Sequence, residues 1–208
     1  MNTQARNPVV LVHGITDTAA IFQLMTTRLK QLGWTVYSLD LIPANGDRTL
    51  DFLAHQLADF VNAKLPDSQP FDLIGFSMGG LVSRYYVQRL GGVNRVQRFI
   101  TISSPHNGTL TAFLSQRPGC LQMRPQSAFL TDLNQDLSAL ECINFTSIWT
   151  PLDTMILPAR SSQLPVGREM QVRVPLHAWM VTDSRAFNVI LESLMEPVAA
   201  VLQEPINP

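Results

Sequence analysis

Short β-branched apolar runs alternate with stretches of helical spacing through the first hundred residues, and that alternation restricts the chain to βαβ units building a parallel sheet. The runs are Pro8 to Val12, Trp34 to Leu39, Phe71 to Gly75 and Val96 to Ser103, each too short and too apolar for a surface helix. Between the first two, Ile21, Leu24, Met25, Leu29 and Leu32 recur at helical spacing. Asp17 or Thr18 stands where an N-cap belongs, and Gly33 where a helix C-terminus wants glycine. In the next gap Leu50, Leu53, Leu57, Phe60 and Val61 share one helical face that Pro66 ends, and Met78 to Leu90 forms a third helix stopped by Gly91-Gly92.

Beyond Ser103 the texture changes: ten of the fourteen prolines follow residue 100, and Pro105 to Pro125 contains no long periodic run. Helical spacing returns in Ala128, Phe129, Leu133, Leu137 and Leu140. A strand is expected at Ile143 to Trp149, a last strand at Met170 to Val174, and a closing helix from Asp183 to Leu202. The reading is an α/β fold, a mostly parallel central sheet with helices on both faces. A chain of 208 residues forms one domain by default.

Charge excludes one class of partner. Fifteen Lys and Arg against sixteen Asp and Glu leave a formal charge of −1 and no electrostatic case for nucleic-acid binding. Charged residues make up 15% of the chain where about 25% is usual, while 46% is apolar, so the core is large or apolar surface is left over. No apolar run approaches the 18 or so residues of a membrane-spanning helix. The opening MNTQARNPVVLVHGITDTAA is continuously apolar only over Pro8 to Val12, which reads as a buried strand and not as a signal peptide. That reading makes the chain cytoplasmic, peripheral to a membrane at most, with Cys120 and Cys142 as free thiols.

The strongest local signal is Gly75-Phe76-Ser77-Met78-Gly79-Gly80, set between an apolar strand and an amphipathic helix. Taking each fixed residue at about 7% of composition, a random 200-residue chain contains GxSxG roughly one time in fifteen. Requiring that strand before and that helix after lowers the rate by about another order of magnitude. The context marks a nucleophile elbow, a strained turn that lifts the Ser77 hydroxyl clear of the sheet while the glycines let strand and helix cross without side chains.

A serine nucleophile needs a base, and chain position separates the four histidines. His55 lies on the outward side of its helix, His13 reads as a structural residue after the first strand, and His106 precedes most candidate acids. His177 follows the last expected strand and can hang over the same sheet edge as Ser77. The acid that orients it is Asp153, four residues past Trp149. Asp132 and Asp136 fall in helical spacing, and Asp40 ends the second strand too early in the chain. Two backbone N–H groups, of Met78 at the helix N-terminus and of Ile15 after the first strand, are placed to face the oxyanion of an acyl-transfer intermediate.

On PVVLVHGI, GFSMGG, TISSPHNGT and the segments around Asp153 and His177, the chain resembles the α/β-hydrolases, and within them the small bacterial triacylglycerol lipases and related esterases. The segments follow in that family's order over nearly the whole chain. The resemblance implies ester hydrolysis through an acyl-enzyme, with Ser77, Asp153 and His177 as the triad, Ile15 and Met78 as oxyanion donors, and no metal or organic cofactor. It implies a minimal single domain in which a cap over the site has room only in Pro105 to Leu140. The same triad also serves thioester cleavage or acyl transfer, and the superfamily includes inactive binding proteins.

Apolar side chains flank both catalytic loops: Leu152, Met155, Ile156 and Leu157 around Asp153, and Leu176, Trp179 and Met180 around His177. These are either ordinary core or the walls of a groove. As a groove, Leu152, Met155, Leu176, Trp179 and Met180 would bind an acyl ester or lipid substrate, and the low charge content fits peripheral docking on a lipid surface.

Overall fold

The protein is described over residues 6–198 by a computed structural model. The strands are β1 (Val9–Val12), β2 (Val36–Leu39), β3 (Phe71–Phe76), β4 (Val96–Ile102), β5 (Asn144–Trp149) and β6 (Arg168–Gln171). They form one sheet in the order β2-β1-β3-β4-β5-β6, every neighbouring pair parallel. All strands therefore end at the same edge, and every loop leaving a strand is delivered there.

The period-two alternation of each strand builds two cores. Val10, Val12, Leu73 and Phe99 face α2 (Leu50–Lys64) and α3 (Met78–Arg89), whereas Val9, Leu11, Ile74 and Ile100 face α1 (Gln23–Gln31) and α7 (Ser184–Met195). All four residues of β1 are buried, as a central strand covered on both faces requires. The stretch after β4 holds the short helices α4 (Pro118–Gln122), α5 (Ala128–Gln135) and α6 (Ser138–Glu141). Helices α5 and α6 pack against α3, while a 3-10 turn at Leu110–Leu114 lies at the carboxyl edge, where Leu110 N–H donates to the Leu157 carbonyl at 2.9 Å.

Several expected boundaries move, each for a local reason. Ala19–Phe22 is a 3-10 turn, and the change of winding sets Phe22, Met25 and Leu29 inward, leaving Leu24 and Leu32 more than two-fifths exposed. Thr18 starts that turn without a side-chain cap bond; Gly33 closes the helix at φ +90°, as its position predicts. The segment from Ala128 is cut in two because Asp136 is extended and its carboxylate takes both the N–H and the hydroxyl of Ser138. The last strand lies earlier than Met170 to Val174: after Gln171 the chain leaves the ladder, and Val172 and Val174 tuck into the core beside Thr150. Helix α7 begins as expected after its cap Asp183, whose carboxylate accepts the Arg185 N–H, but ends at Met195 with Pro197 close behind; residues 199–202 of the expected helix lie outside the described residues. Cys120 and Cys142 are free, the first buried and the second exposed.

Candidate active site

The turn between β3 and α3 is the tightest point of the fold. Ser77 has φ 53° and ψ −122°, a conformation that costs a non-glycine residue about 1–3 kcal/mol and persists only where the surroundings impose it. The glycines supply that constraint. A Cβ on Gly75 would stand 2.5 Å from Gly80 Cα, and one on Gly79 would strike the Val12 carbonyl, so strand and helix meet backbone to backbone. The Ser77 N–H donates to the Ile102 carbonyl at 2.8 Å, which ties the turn to the end of β4.

Across the edge, His177 opens a 3-10 turn (His177–Val181), and its Nδ1 donates to Asp153 Oδ2 at 2.7 Å. The other carboxylate oxygen, Oδ1, accepts the N–H groups of Met155 and Ile156, each at 2.9 Å. Burial pushes the Asp153 carboxyl upward, but the His177 bond and charge and these backbone donors outweigh it and hold the group below the usual carboxylate range. An ionised acceptor at Nδ1 fixes the tautomer and leaves Nε2 with a lone pair. The two loops are tied independently of that pair, since the Thr150 hydroxyl donates to the Val174 carbonyl at 2.7 Å.

The His177 ring packs on Phe76, the residue before Ser77, with centroids 4.8 Å apart. The structure thus brings the expected serine, histidine and aspartate to one place, although no hydrogen bond joins Ser77 Oγ to His177 Nε2 in this conformation. Met78 is the first residue of α3, where an N–H has no intrahelical acceptor. Ile15 lies in a turn closed by Asp17 N–H to Gly14 carbonyl at 3.4 Å and anchored by Thr16 N–H to Ala44 carbonyl at 2.8 Å. Among the described residues neither the Ile15 nor the Met78 N–H donates to a protein acceptor.

The remaining histidines are placed differently. His55 is exposed on α2. His13 is fully buried; its Nδ1 donates to the Gly14 carbonyl at 2.9 Å and its Nε2 accepts the Leu41 N–H at 3.0 Å. His106 is buried as well, its Nδ1 facing an Arg84 donor at 3.4 Å and its Nε2 the Thr101 hydroxyl at 3.0 Å. Burial, with the charge of Arg84, lowers the His106 pKa well below its usual value.

Of the side chains expected to line a groove, Leu152, Met155, Leu176 and Trp179 are exposed beside the pair. Met180 is not among them: it is fully buried and packs with Ile148, Val174 and Ile190, because the 3-10 turn lies on the sheet edge and only one side of it meets solvent. Two residues had no place in the sequence reading of the site. Asp17 turns its carboxylate back over Gly14, where an added Cβ would lie 2.9 Å from Asp17 Oδ2 and 3.1 Å from Ser77 Cβ; burial raises its carboxyl against the opposing charges of His13 and His177. Arg84 is wholly buried and held by Gln88, Leu133, Asn134 and His106, its pKa lowered by burial to about 9. Its place on α3 does not announce an interior arginine; the Leu133 carbonyl and Asn134 side chain on α5, together with His106, hold it there.

Known proteins share this frame. The mature lipase BlEst2 of Bacillus licheniformis superposes with a TM-score of 0.75 over 93% of this chain and 94% of its own, at 15% identity. Lipase B of Aspergillus fumigatus gives 0.79 over 94% of this chain and 54% of its own, at 17% identity. These likenesses establish the α/β-hydrolase fold. In sequence, palmitoyl-protein thioesterase 3 of Dictyostelium discoideum is 30% identical over 109 residues, half of this chain and 37% of that protein's length. Residues 8–123, more than half of the chain and the part that contains Ser77, match the family described as palmitoyl protein thioesterase, and the chain belongs to that family.

Proposed function

We propose that the chain is a serine hydrolase that cleaves carboxylic acyl esters through an acyl-enzyme on Ser77. The observation that carries this is the His177–Asp153 pair at 2.7 Å, which leaves Nε2 available beside a serine held at φ 53°. Ser77 Oγ attacks the substrate carbonyl carbon as Nε2 takes its proton, closing a bond that tightens only with substrate seated. The N–H groups of Met78 and Ile15 receive the negative oxygen. Protonated His177, held by Asp153, gives the proton to the leaving group as the carbonyl re-forms. Water then repeats the sequence on the acyl-enzyme and releases the acid.

Leu152, Met155, Leu176 and Trp179 offer an acyl chain an apolar path to the serine, and each methylene buried there contributes about 0.8 kcal/mol. The family favours a second leaving group, a thiolate in place of an alkoxide, at the same atoms. A fluorophosphonate probe should label Ser77, and the rate constant on monomeric esters should climb from acetyl to octanoyl. Matched oxygen and sulfur esters of one acyl group decide the leaving group. An unlabelled serine sinks the hydrolase reading; a flat acyl profile sinks the lipid one.

A further inference from the structure

We propose that the face between the loops leaving β4, β5 and β6 docks on a bilayer that carries anionic lipids. The proposal deepens the acyl-ester reading by naming the surface that presents the substrate, and its test requires no turnover.

Exposed apolar residues are concentrated on this face. Of the fourteen large apolar side chains exposed among the described residues, eight stand in three short segments here. Leu110, Phe113 and Leu114 belong to the 3-10 turn after β4, with Leu114 89% exposed. Leu152, Met155 and Leu157 belong to the Asp153 loop, and Leu176 and Trp179 flank His177. The segments are bonded into one surface. The hydroxyls of Thr109 and Thr111 both donate to the Met155 carbonyl, Leu110 N–H reaches the Leu157 carbonyl, and the His177–Asp153 bond joins the third segment to the second. Such a cluster of exposed apolar groups marks an interaction surface rather than chance exposure.

Charge selects the partner. Residues 105–131, 154–168 and 170–182 contain no aspartate or glutamate, although the chain as a whole has more acids than bases. Cations are present in the same stretches. The Arg124 guanidinium lies 4.7 Å from the Phe113 ring centroid, and Arg160 and Arg173 are exposed without an ion-pair partner among the described residues. Arg168 is paired with Glu192 on α7 and with Glu196 just past its end, and does not contribute. Of the acids near this edge, Asp153 is buried and bonded to His177, Asp183 pairs with Arg185 at 2.8 Å, and Asp17, Asp40 and Asp47 follow β1 and β2, where Arg117 lies 3.4 Å from Asp47. Apolar segments that carry arginines, with their one central carboxylate, Asp153, buried and bonded to His177, match an anionic lipid surface, which offers acyl interior and phosphate at the same depth.

The test uses the full chain carrying Ser77→Ala, so that lipid is not consumed, in co-sedimentation with vesicles of phosphatidylcholine alone or of phosphatidylcholine and phosphatidylglycerol in equal parts. Binding should be about tenfold stronger to the mixed vesicles and weaken with salt, as charge attraction at a surface requires. Leu114→Glu should reduce binding to the mixed vesicles about tenfold, and Arg160→Glu with Arg173→Glu should remove most of the preference for them. Phe52→Glu, an exposed apolar position on α2, should change neither value. Circular dichroism checks that each variant is folded. Absence of binding by the parent chain, equal binding to both vesicle types, or unchanged binding by Leu114→Glu overturns the proposal. If vesicles are bound but no ester is hydrolysed by the chain with Ser77 intact, docking stands and the hydrolase reading falls.

Discussion

His106 and His177 both follow strands of the same parallel sheet, yet the protein uses up one imidazole and leaves the other half free. His106 lies inside the packing of α3 and α5, and both of its nitrogens meet protein partners, Arg84 and Thr101. A cation on one side and complete burial keep it neutral. His177 lies on the rim, spends Nδ1 on a carboxylate, packs on Phe76 beside the strained serine, and keeps Nε2 without a protein partner among the described residues. A base needs a spare lone pair and a neighbour that welcomes positive charge. His177 has both; His106 has neither.

The comparison can be broken first by activity. Ser77→Ala should lower turnover of an octanoyl ester about a million-fold, and His177→Ala should match it within tenfold because the residues act as one unit. Asp153→Asn should cost about ten-thousand-fold by favouring the wrong tautomer, with thermal unfolding showing each variant folded. His106→Ala should reverse the pattern. Turnover per folded molecule should stay within tenfold of the parent, while stability falls by about 3 kcal/mol, because Arg84 and Thr101 lose a buried partner. In a chain of this size that is a drop of roughly 10 °C in Tm. Turnover as low as that of His177→Ala would transfer the base to His106.

The pH dependence of stability sharpens the contrast. The folded pKa of His106 is depressed, so as pH falls below about 6.5 the unfolded chain takes up a proton that the folded chain refuses. Its contribution is fully present above that pH and is lost at up to about 1.4 kcal/mol per pH unit on the way down. His106→Gln, which can accept from Arg84 and donate to Thr101, should flatten this part of the profile in denaturant titrations between pH 7 and 5. An unchanged slope would mean that the imidazole is not held neutral. The smallest expected effect is on the rim: Leu176→Ala should lower the octanoyl-to-acetyl rate ratio a few-fold, since it removes about 1 kcal/mol of apolar contact, and should leave acetyl ester turnover nearly unchanged.

The elbow was legible because its chemistry is local. Gly75, Ser77, Gly79 and Gly80 are neighbours in the chain, and the constraint among them is steric and independent of distant packing. The alternation of strands and helices was legible for the same reason, since a period of two or of 3.6 is written in consecutive residues. The rim was harder. Met180 and Trp179 are adjacent and both apolar, and the sequence distinguishes neither; the edge on which their turn lies buries one and exposes the other. Val172 and Val174 look like strand, but the ladder with β5 had already ended at Gln171.

The sequence by itself determined the parallel sheet, the position of the strained serine and the chain order Ser77, Asp153, His177, because each depends on spacing along the backbone. Tertiary structure decided what spacing does not encode. It covered Arg84 with α5, turned Asp17 back over Gly14 beside Ser77, consumed both nitrogens of His106, and joined the segments around Thr109, Asp153 and His177 into one face. Burial and charge at a point in space are sums over everything packed around it, and the strands that meet at this edge come from residues far apart along the chain.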